Sequence, residues 1–357
     1  MTKRLSAWMG LCTIVLAAGA LPKLEARTGQ DPNGYRLTWD DFRSGFDATS
    51  PAAKWFYFAA GPFIGDDGIA TTGRNGLVVV STGINAATGE PAFTKTLGQE
   101  DENGGLPGGL DHVKWLVYTN HLASTGYPGF DATPGFELAC ESWMRARTFG
   151  TGGHPFGGAV DNPGDDLRLS AVGMNSIDFE SLMVFDFLIT NETIYAIYER
   201  LPFGRPALGN YAAFTFNIPL VATSPAQTHH LEISYDRTAG AVRWIVDGEE
   251  RFSVARIGHL LDRRYLTIDH GGVPETVSPK QLACGMGMFT LLDADQPSGT
   301  ALVRLSSVPG FYFDPAVGEP TPQTFLDDES LPGNRLFGQG AEIRVLKYVV
   351  SSRRTEQ

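Results

Sequence analysis

Two carboxylates, Asp186 and Glu199, sit inside apolar-rich runs of the segment Met183–Arg200, MVFDFLITNETIYAIYER. Two such runs around a short polar tip predict a β-hairpin that turns at Asn191-Glu192. Thr190 then faces Thr193, and Asp186 faces Ile197. Because side chains alternate along a strand, one face carries Met183, Phe185, Phe187, Ile194, Ala196 and Tyr198. The other carries Val184, Asp186, Leu188, Tyr195, Ile197 and Glu199. The first face reads as core. The second is apolar with two acids set into it as diagonal neighbours, about 7–8 Å apart at the backbone. Acids on such a face are costly unless they are paired or used. As a pair they suit acid–base work, with one pKa raised for proton transfer. The structural alternative is that Asp186 and Glu199 form ion pairs with arginines such as Arg145 and Arg147.

Other residues invite similar readings. Asp178 and Glu180, two apart just before the hairpin, have the spacing of a paired-carboxylate site, or of a solvated strand entry. The segment FELACESWMRARTF (136–149) reads as a strand with Phe136, Leu138, Cys140, Ser142, Met144 and Ala146 toward a core. Its other face carries Glu141, Trp143, Arg145 and Arg147. The two arginines could clamp a carboxylate, and Trp143 could stack on a sugar ring; a salt-bridge ladder with Glu141 is the plainer reading. His154 and His270 lie in glycine-rich loops, where each is a candidate general base or an exposed ring. Tyr195 shares the face of the two acids.

Among the elements that must position these residues, strands dominate. The chain has 357 residues with 42 glycines and 22 prolines, and long helical periodicities are few. This is the pattern of an all-β protein rich in turns. The net charge of −12 and pI near 5.0 argue against nucleic-acid or anionic-membrane binding through bulk electrostatics. Lys3, Arg4 and the apolar run Leu5–Leu21 read as a signal peptide over residues 1–26, which predicts a secreted protein. Residues 27–36 read as a flexible lead, 37–352 as one domain, and 353–357 as a tail. Removal of the signal leaves Cys140 and Cys284, which secretion would allow to bridge; a buried thiol fits Cys140 equally. Asn191-Glu192-Thr193 is an N-glycosylation sequon at the predicted turn.

Metal ligand spacing is missing. His229 and His230 are adjacent and point apart on a strand, and the acidic DNPGDD (161–166) lacks the regular spacing of a calcium loop. No phosphate-binding glycine loop or nucleophile elbow occurs, so no cofactor is expected. Nothing in the sequence sets an oligomeric state.

Three stretches in order resemble the concanavalin A-like lectin/glucanase sandwich, in particular laminarinase-type glycoside hydrolases. They are DDF (40–42) with KW (54–55) and NGLVVVS (75–81), then HHLEISYDR with VRWIVDGEERF (229–252), then AEIRVLKYVV (341–350). The resemblance implies a two-sheet jelly roll. It also implies a catalytic strand with two acids about 5–5.5 Å apart for a retaining mechanism. Asp178 and Glu180 match that motif in part, and its third acid is missing. Asp186, six residues beyond Glu180, would lie about 20 Å away along one strand. The whole chain is also similar to an uncharacterised family of bacterial and fungal proteins. That likeness is carried by TGEPAFTKTL (88–97), DHVKWLVY (111–118), MVFDFLITNETIYAIYERLPFGR (183–205) and CGMGMFTLLD (284–293), and it implies no activity.

The expected protein is a secreted β-sandwich that binds or cleaves a glycan on a concave sheet bearing Trp143, Arg145, Arg147, Asp186 and Glu199. In a β-elimination variant, Arg145 or Arg147 would neutralise a uronate, and Tyr195 or His154 would move the proton. The first alternative is a tailoring enzyme, a cyclase or isomerase, acting on a small apolar metabolite among Val184, Leu188, Tyr195 and Ile197. The second is a non-catalytic adhesion module. An open cleft favours the glycan, a closed apolar pocket the metabolite, and acids all paired with arginine the module.

Overall fold

Alternating apolar residues produce strands with one buried face, and here two such sheets bury those faces against each other. The computed structural model describes residues 34–296 and 300–355, so the expected signal peptide lies outside the described residues. One sheet runs Glu249–Val254, Ala241–Val246, His229–Asp236, Phe136–Phe149, Gly340–Arg354, Gly76–Val80, Ile69–Gly73. Gly34–Asp40 also pairs with Gly340–Arg354. The other sheet runs Leu266–Asp269, Phe214–Ala222, Thr193–Arg200, Met183–Ile189, Ala171–Asp178, Gln281–Phe289, Val113–Thr119, Trp55–Tyr57. Phe130–Asp131 adds to the Gln281–Phe289 strand. Neighbours in both sheets are antiparallel, giving the predicted all-β, two-sheet sandwich.

The ends differ from expectation. Residues 34–36, read as part of a flexible lead, belong to the first strand, and residues 353–354, read as a tail, belong to the last. Both are held by the same ladder, in which Gly34 faces Arg353 and Arg36 faces Ser351. Leu346, a candidate inward residue, is exposed. It lies at a bulge, since Trp143 pairs with Lys347 and Met144 with Val345. The extra residue resets the alternation, so that Ile343 and Val345 before it and Tyr348 and Val350 after it all reach the core.

The hairpin has the predicted register, with Asp186 opposite Ile197 and the Thr190 N–H bonded to the Thr193 carbonyl at 3.0 Å. All six residues of its expected core face are in the inter-sheet core. Two links across that core fix its position. The Trp244 indole N–H, from the opposite sheet, donates to the Asp186 carbonyl at 2.8 Å, and a bond of this kind contributes about 0.5–1.5 kcal/mol. Cys140 and Cys284, one from each sheet, form a disulfide with Cα atoms 5.7 Å apart.

A second apolar layer lies on the far side of the hairpin sheet. Val184, Leu188 and Ile197 pack there with Leu116, Ile177 and Ile268 from neighbouring strands. Chain from the segment after Phe289, including Leu291, Phe311 and Tyr312, covers them. The sheet is therefore buried on both faces, which is why its central strands read as continuous apolar runs.

The Cys140–Cys284 bridge spans 144 residues and joins the two sheets. Cys140→Ser/Cys284→Ser should lose about 2–5 kcal/mol of stability. Urea titrations of wild type and variant, both without reductant, measure this; identical midpoints would show that the bridge adds nothing.

Candidate active site

Between the outer face of the hairpin sheet and its covering loops lies a mainly apolar, partly covered cavity of about 110 Å³. The sheet face beneath it is shaped by the sequence CGMGM, where rings of the cavity wall, Phe289 and Tyr118, lie against glycines. On the strand Gln281–Phe289, Cys284, Met286 and Met288 point into the inter-sheet core, while Gly285 and Gly287 face the cavity side. Gly287 pairs with Gly173 on the adjacent strand. A Cβ on Gly287 would come within 2.6 Å of the Phe289 ring, and one on Gly173 within 2.8 Å of it. The glycines thus leave a floor without side chains, and aromatic rings lie across it.

Asp186 and Glu199 both line this cavity, as does His270. Asp186 is 8 % exposed. Its carboxylate oxygens accept from the Ser176 N–H at 2.8 Å and the Asn175 side-chain amide at 2.6 Å. Burial pushes its pKa well above the usual carboxylate range, and the charge of Glu199 adds to the rise; the two hydrogen bonds offset only part. Glu199 accepts from the Thr215 hydroxyl at 2.6 Å. Burial raises its pKa as well, but Thr215 and His112 oppose the rise. Burial thus raises both acids, Asp186 the further, which favours Asp186 as the protonated member of the pair.

The sequence reading missed three partners. His112 ends the short turn Gly108–His112, which is anchored by buried Asp111 through Lys114 at 3.2 Å and the Leu97 N–H at 2.7 Å. The His112 Nε2 meets Asp293 Oδ1 at 2.5 Å, and the Tyr312 hydroxyl donates to Asp293 Oδ2 at 2.7 Å. Burial alone would lower the pKa of His112. The charge and hydrogen bond of Asp293, with Glu199 and Asp111 behind them, outweigh it and raise the pKa. For Asp293, burial is likewise outweighed by His112 and Tyr312, and its pKa falls. The result is a His112–Asp293 ion pair at the cavity wall. His270 behaves oppositely. Burial lowers its pKa to about 4, against the hydrogen bond to the Phe311 carbonyl. Its Nδ1 donates that bond at 2.6 Å, so the ring is neutral with Nε2 as the acceptor. His112 and Asp293 are 181 residues apart. A signal for them did exist, since they lie in the stretches DHVKWLVY and CGMGMFTLLD.

The remaining expected site residues lie elsewhere. Trp143, Arg145, Arg147 and Glu141 are on the other sheet, facing away from the core, so they share no surface with Asp186 and Glu199. The single groove expected to hold all of them is not formed. Trp143 stacks on His230 with centroids 4.0 Å apart, and Lys347 lies 3.9 Å from its ring centroid. Glu141 is bound by Arg36, His230 and Ser351. Glu141, His230 and Glu232 group closely enough to suggest a cation, but Arg36 and Arg353 occupy the two carboxylates. Arg147 is exposed, 3.8 Å from Glu90. Asp178 faces the turn after its strand, capping the Glu180 N–H at 3.1 Å and the Ser181 hydroxyl at 2.5 Å, and Glu180 pairs with Lys280 at 2.7 Å. Those two acids form a turn rather than a catalytic pair. The His154 Nδ1 accepts the Phe156 N–H at 3.2 Å, outside the cavity. Tyr195 shares the acid-bearing face, but its hydroxyl is directed to the Asp165 carbonyl at 3.3 Å and does not line the cavity. In the acidic segment 161–166, Asp165 accepts from Thr190 and Thr193, and Asp166 is paired with Arg168.

Solved structures with a similar course include an endo-1,3-β-glucanase from Streptomyces sioyaensis, at 13 % identity and TM-score 0.42, covering 92 % of this chain and 99 % of that one. They include a Crh5 transglycosylase at 12 % identity and TM-score 0.37, covering 92 % and 87 %. An alginate lyase in complex with dimannuronate is similar at 9 % identity and TM-score 0.32, covering 69 % and 73 %. These likenesses are at the level of the sandwich. An uncharacterised protein of Acanthamoeba polyphaga mimivirus is 27 % identical over 384 residues, covering 80 % of this chain and 81 % of that protein. Residues 39–354 match the model of the family described as "Family of unknown function (DUF6081)", and the chain belongs to that family.

Proposed function

We propose that this protein is a secreted tailoring enzyme that isomerises or cyclises a small, largely apolar metabolite by acid–base catalysis. One observation carries the reading: two acids on adjacent strands, both raised by burial and Asp186 the further, face one mainly apolar cavity. Small-ligand sites have this composition, an apolar wall with a few convergent polar groups. Pairs of titratable groups separated in this way are how one site runs acid and base chemistry together.

In the proposed cycle Asp186 enters protonated and Glu199 ionised. Asp186 delivers its proton to the substrate, and Glu199 removes one from a neighbouring position. One proton enters and one leaves, so the product has the formula of the substrate, as an isomerisation or ring closure requires. Asn175 and the Ser176 N–H hold the Asp186 carboxyl in place, and Thr215 holds Glu199. His112, kept charged by Asp293, steadies the carboxylate of Glu199. The covering loops bury both acids, which strengthens each of these interactions. Secretion follows from the reading of residues 1–26, and a disulfide is at home in an oxidising compartment. A glycan ligand remains a second reading at the level of the sandwich type, and it is one arm of the test.

Saturation-transfer NMR and thermal-shift measurements on the chain lacking residues 1–26 test the pocket. The panel contains small apolar alcohols, amines and ketones beside β-1,3-glucan and alginate oligomers. Hits should fall among the small molecules and be lost in Val184→Phe, which fills the cavity wall at a stability cost of about 1–3 kcal/mol. An oligosaccharide hit unaffected by Val184→Phe would overturn the proposal.

Charge states supply a second check. The rate should rise with pH as Glu199 ionises and fall as Asp186 loses its proton, giving a bell. Glu199→Gln should abolish the rising limb and lower kcat by about 10²–10⁴-fold. Imidazole NMR provides an activity-free readout: His112 should titrate above 6.5 and His270 near 4. A His112 that is neutral at pH 6 would remove the ion pair from the mechanism.

A further inference from the structure

The polar atoms that face the cavity are unequal in kind. Asn175 is 1 % exposed, and its side-chain oxygen has no hydrogen-bond partner although its amide nitrogen is bonded to Asp186. Glu199 uses one carboxylate oxygen for Thr215, and the other forms no hydrogen bond among the described residues. His270 offers the lone pair of Nε2 because its Nδ1–H is engaged by the Phe311 carbonyl. These three are acceptors. On the donor side are the one ring N–H that His112 has left once Nε2 is given to Asp293, and the carboxyl proton of Asp186. A buried acceptor without a donor is costly, and the Asn175 oxygen is one, so the site favours a ligand that donates.

The wall has the same bias. Phe58, Tyr118, Phe203, Phe289 and Phe311 all line the cavity. Aromatic faces attract cations, the more so where the site is desolvated. The formal charges agree: His112 and Asp293 cancel and Asp186 is neutral, which leaves Glu199 as the uncompensated charge, since the arginines expected beside it lie on the opposite sheet. Among the described residues no arginine or lysine lines the cavity.

We infer that the ligand of this cavity is a small organic cation, a protonated amine on an apolar body, whose N–H groups are received by Asn175, Glu199 and His270 within the aromatic wall. An ammonium supplies up to three donors to three waiting acceptors, whereas a ketone supplies none and an alcohol one. The inference rests on the pocket reading above and names its substrate class. A neutral metabolite of the same size would leave acceptors unpaired, and an anion would meet the ionised Glu199.

Three probes of one shape test it on the chain lacking residues 1–26: benzylamine, benzyl alcohol and benzoate, followed by calorimetry and ligand-observed NMR at neutral pH. Benzylamine should bind at least tenfold more tightly than benzyl alcohol, and benzoate should not bind. In Asp186→Asn/Glu199→Gln that preference should shrink to within about twofold, with benzyl alcohol little changed. Val184→Phe should exclude both binders. If benzyl alcohol or benzoate binds as well as benzylamine and Val184→Phe still excludes it, the cation inference falls and the pocket reading stands. If no probe binds, or if Val184→Phe has no effect on binding, both fall. The wild-type comparison decides the matter even if the double variant fails to fold.

Discussion

Asp186 occupies a position where its charge is poorly tolerated, and much of the molecule can be understood from that constraint. An ionised carboxylate in an apolar layer must be paired, solvated or neutralised. Among the described residues no arginine or lysine lines its cavity, and the covering loops bury it. What remains is two neutral donors, the Ser176 N–H and the Asn175 amide, and a proton of its own. Such an arrangement persists only if the surrounding backbone cannot relax. Rigidity is supplied from behind by the Trp244 indole on the Asp186 carbonyl and by Cys284, one strand beyond Ser176, tied to the other sheet. The inter-sheet core thus sets the backbone, and the backbone sets the acid.

The hairpin was readable because period two assigns faces without knowledge of the rest of the chain. Asp186 and Glu199 on one face and the aromatic core residues on the other follow from the register alone, as does the strand over 136–149. Parity has a limit: it separates inward from outward within a sheet but does not say which sheet a strand joins. Arg145 and Arg147 therefore seemed available to the two acids, although the inter-sheet core separates them. Leu346 shows a second limit, since one bulged residue reverses every later assignment.

Pairings across long sequence separations were the least legible. Nothing local marks His112 as the partner of Asp293, or Cys140 as that of Cys284; both pairs are brought together by strand order. The cavity did leave a local trace. Two glycines alternating with cysteine and methionine in CGMGM describe a strand filled on one face and bare on the other. A bare face at the middle of a sheet is space for a ring or a ligand.

Function lives in a site and not in the fold that carries it, so what a sheet face accepts depends on what covers it. A polymer must lie along an open groove so that its ends can project on both sides. Here the outer face of the hairpin sheet is roofed by chain from the segments around Leu291, Phe311 and Tyr312, which pack into an apolar layer of their own. Removing that roof would expose Val184, Leu188, Ile197 and Ile268 together, a patch costly to leave in water. The roof is therefore held by the same residues that line the cavity. A ligand small enough to fit beneath it leaves this packing in place, whereas a chain of sugars would have to displace it. The cover and the neutral acid have a common origin, because the packing that roofs the sheet also buries Asp186.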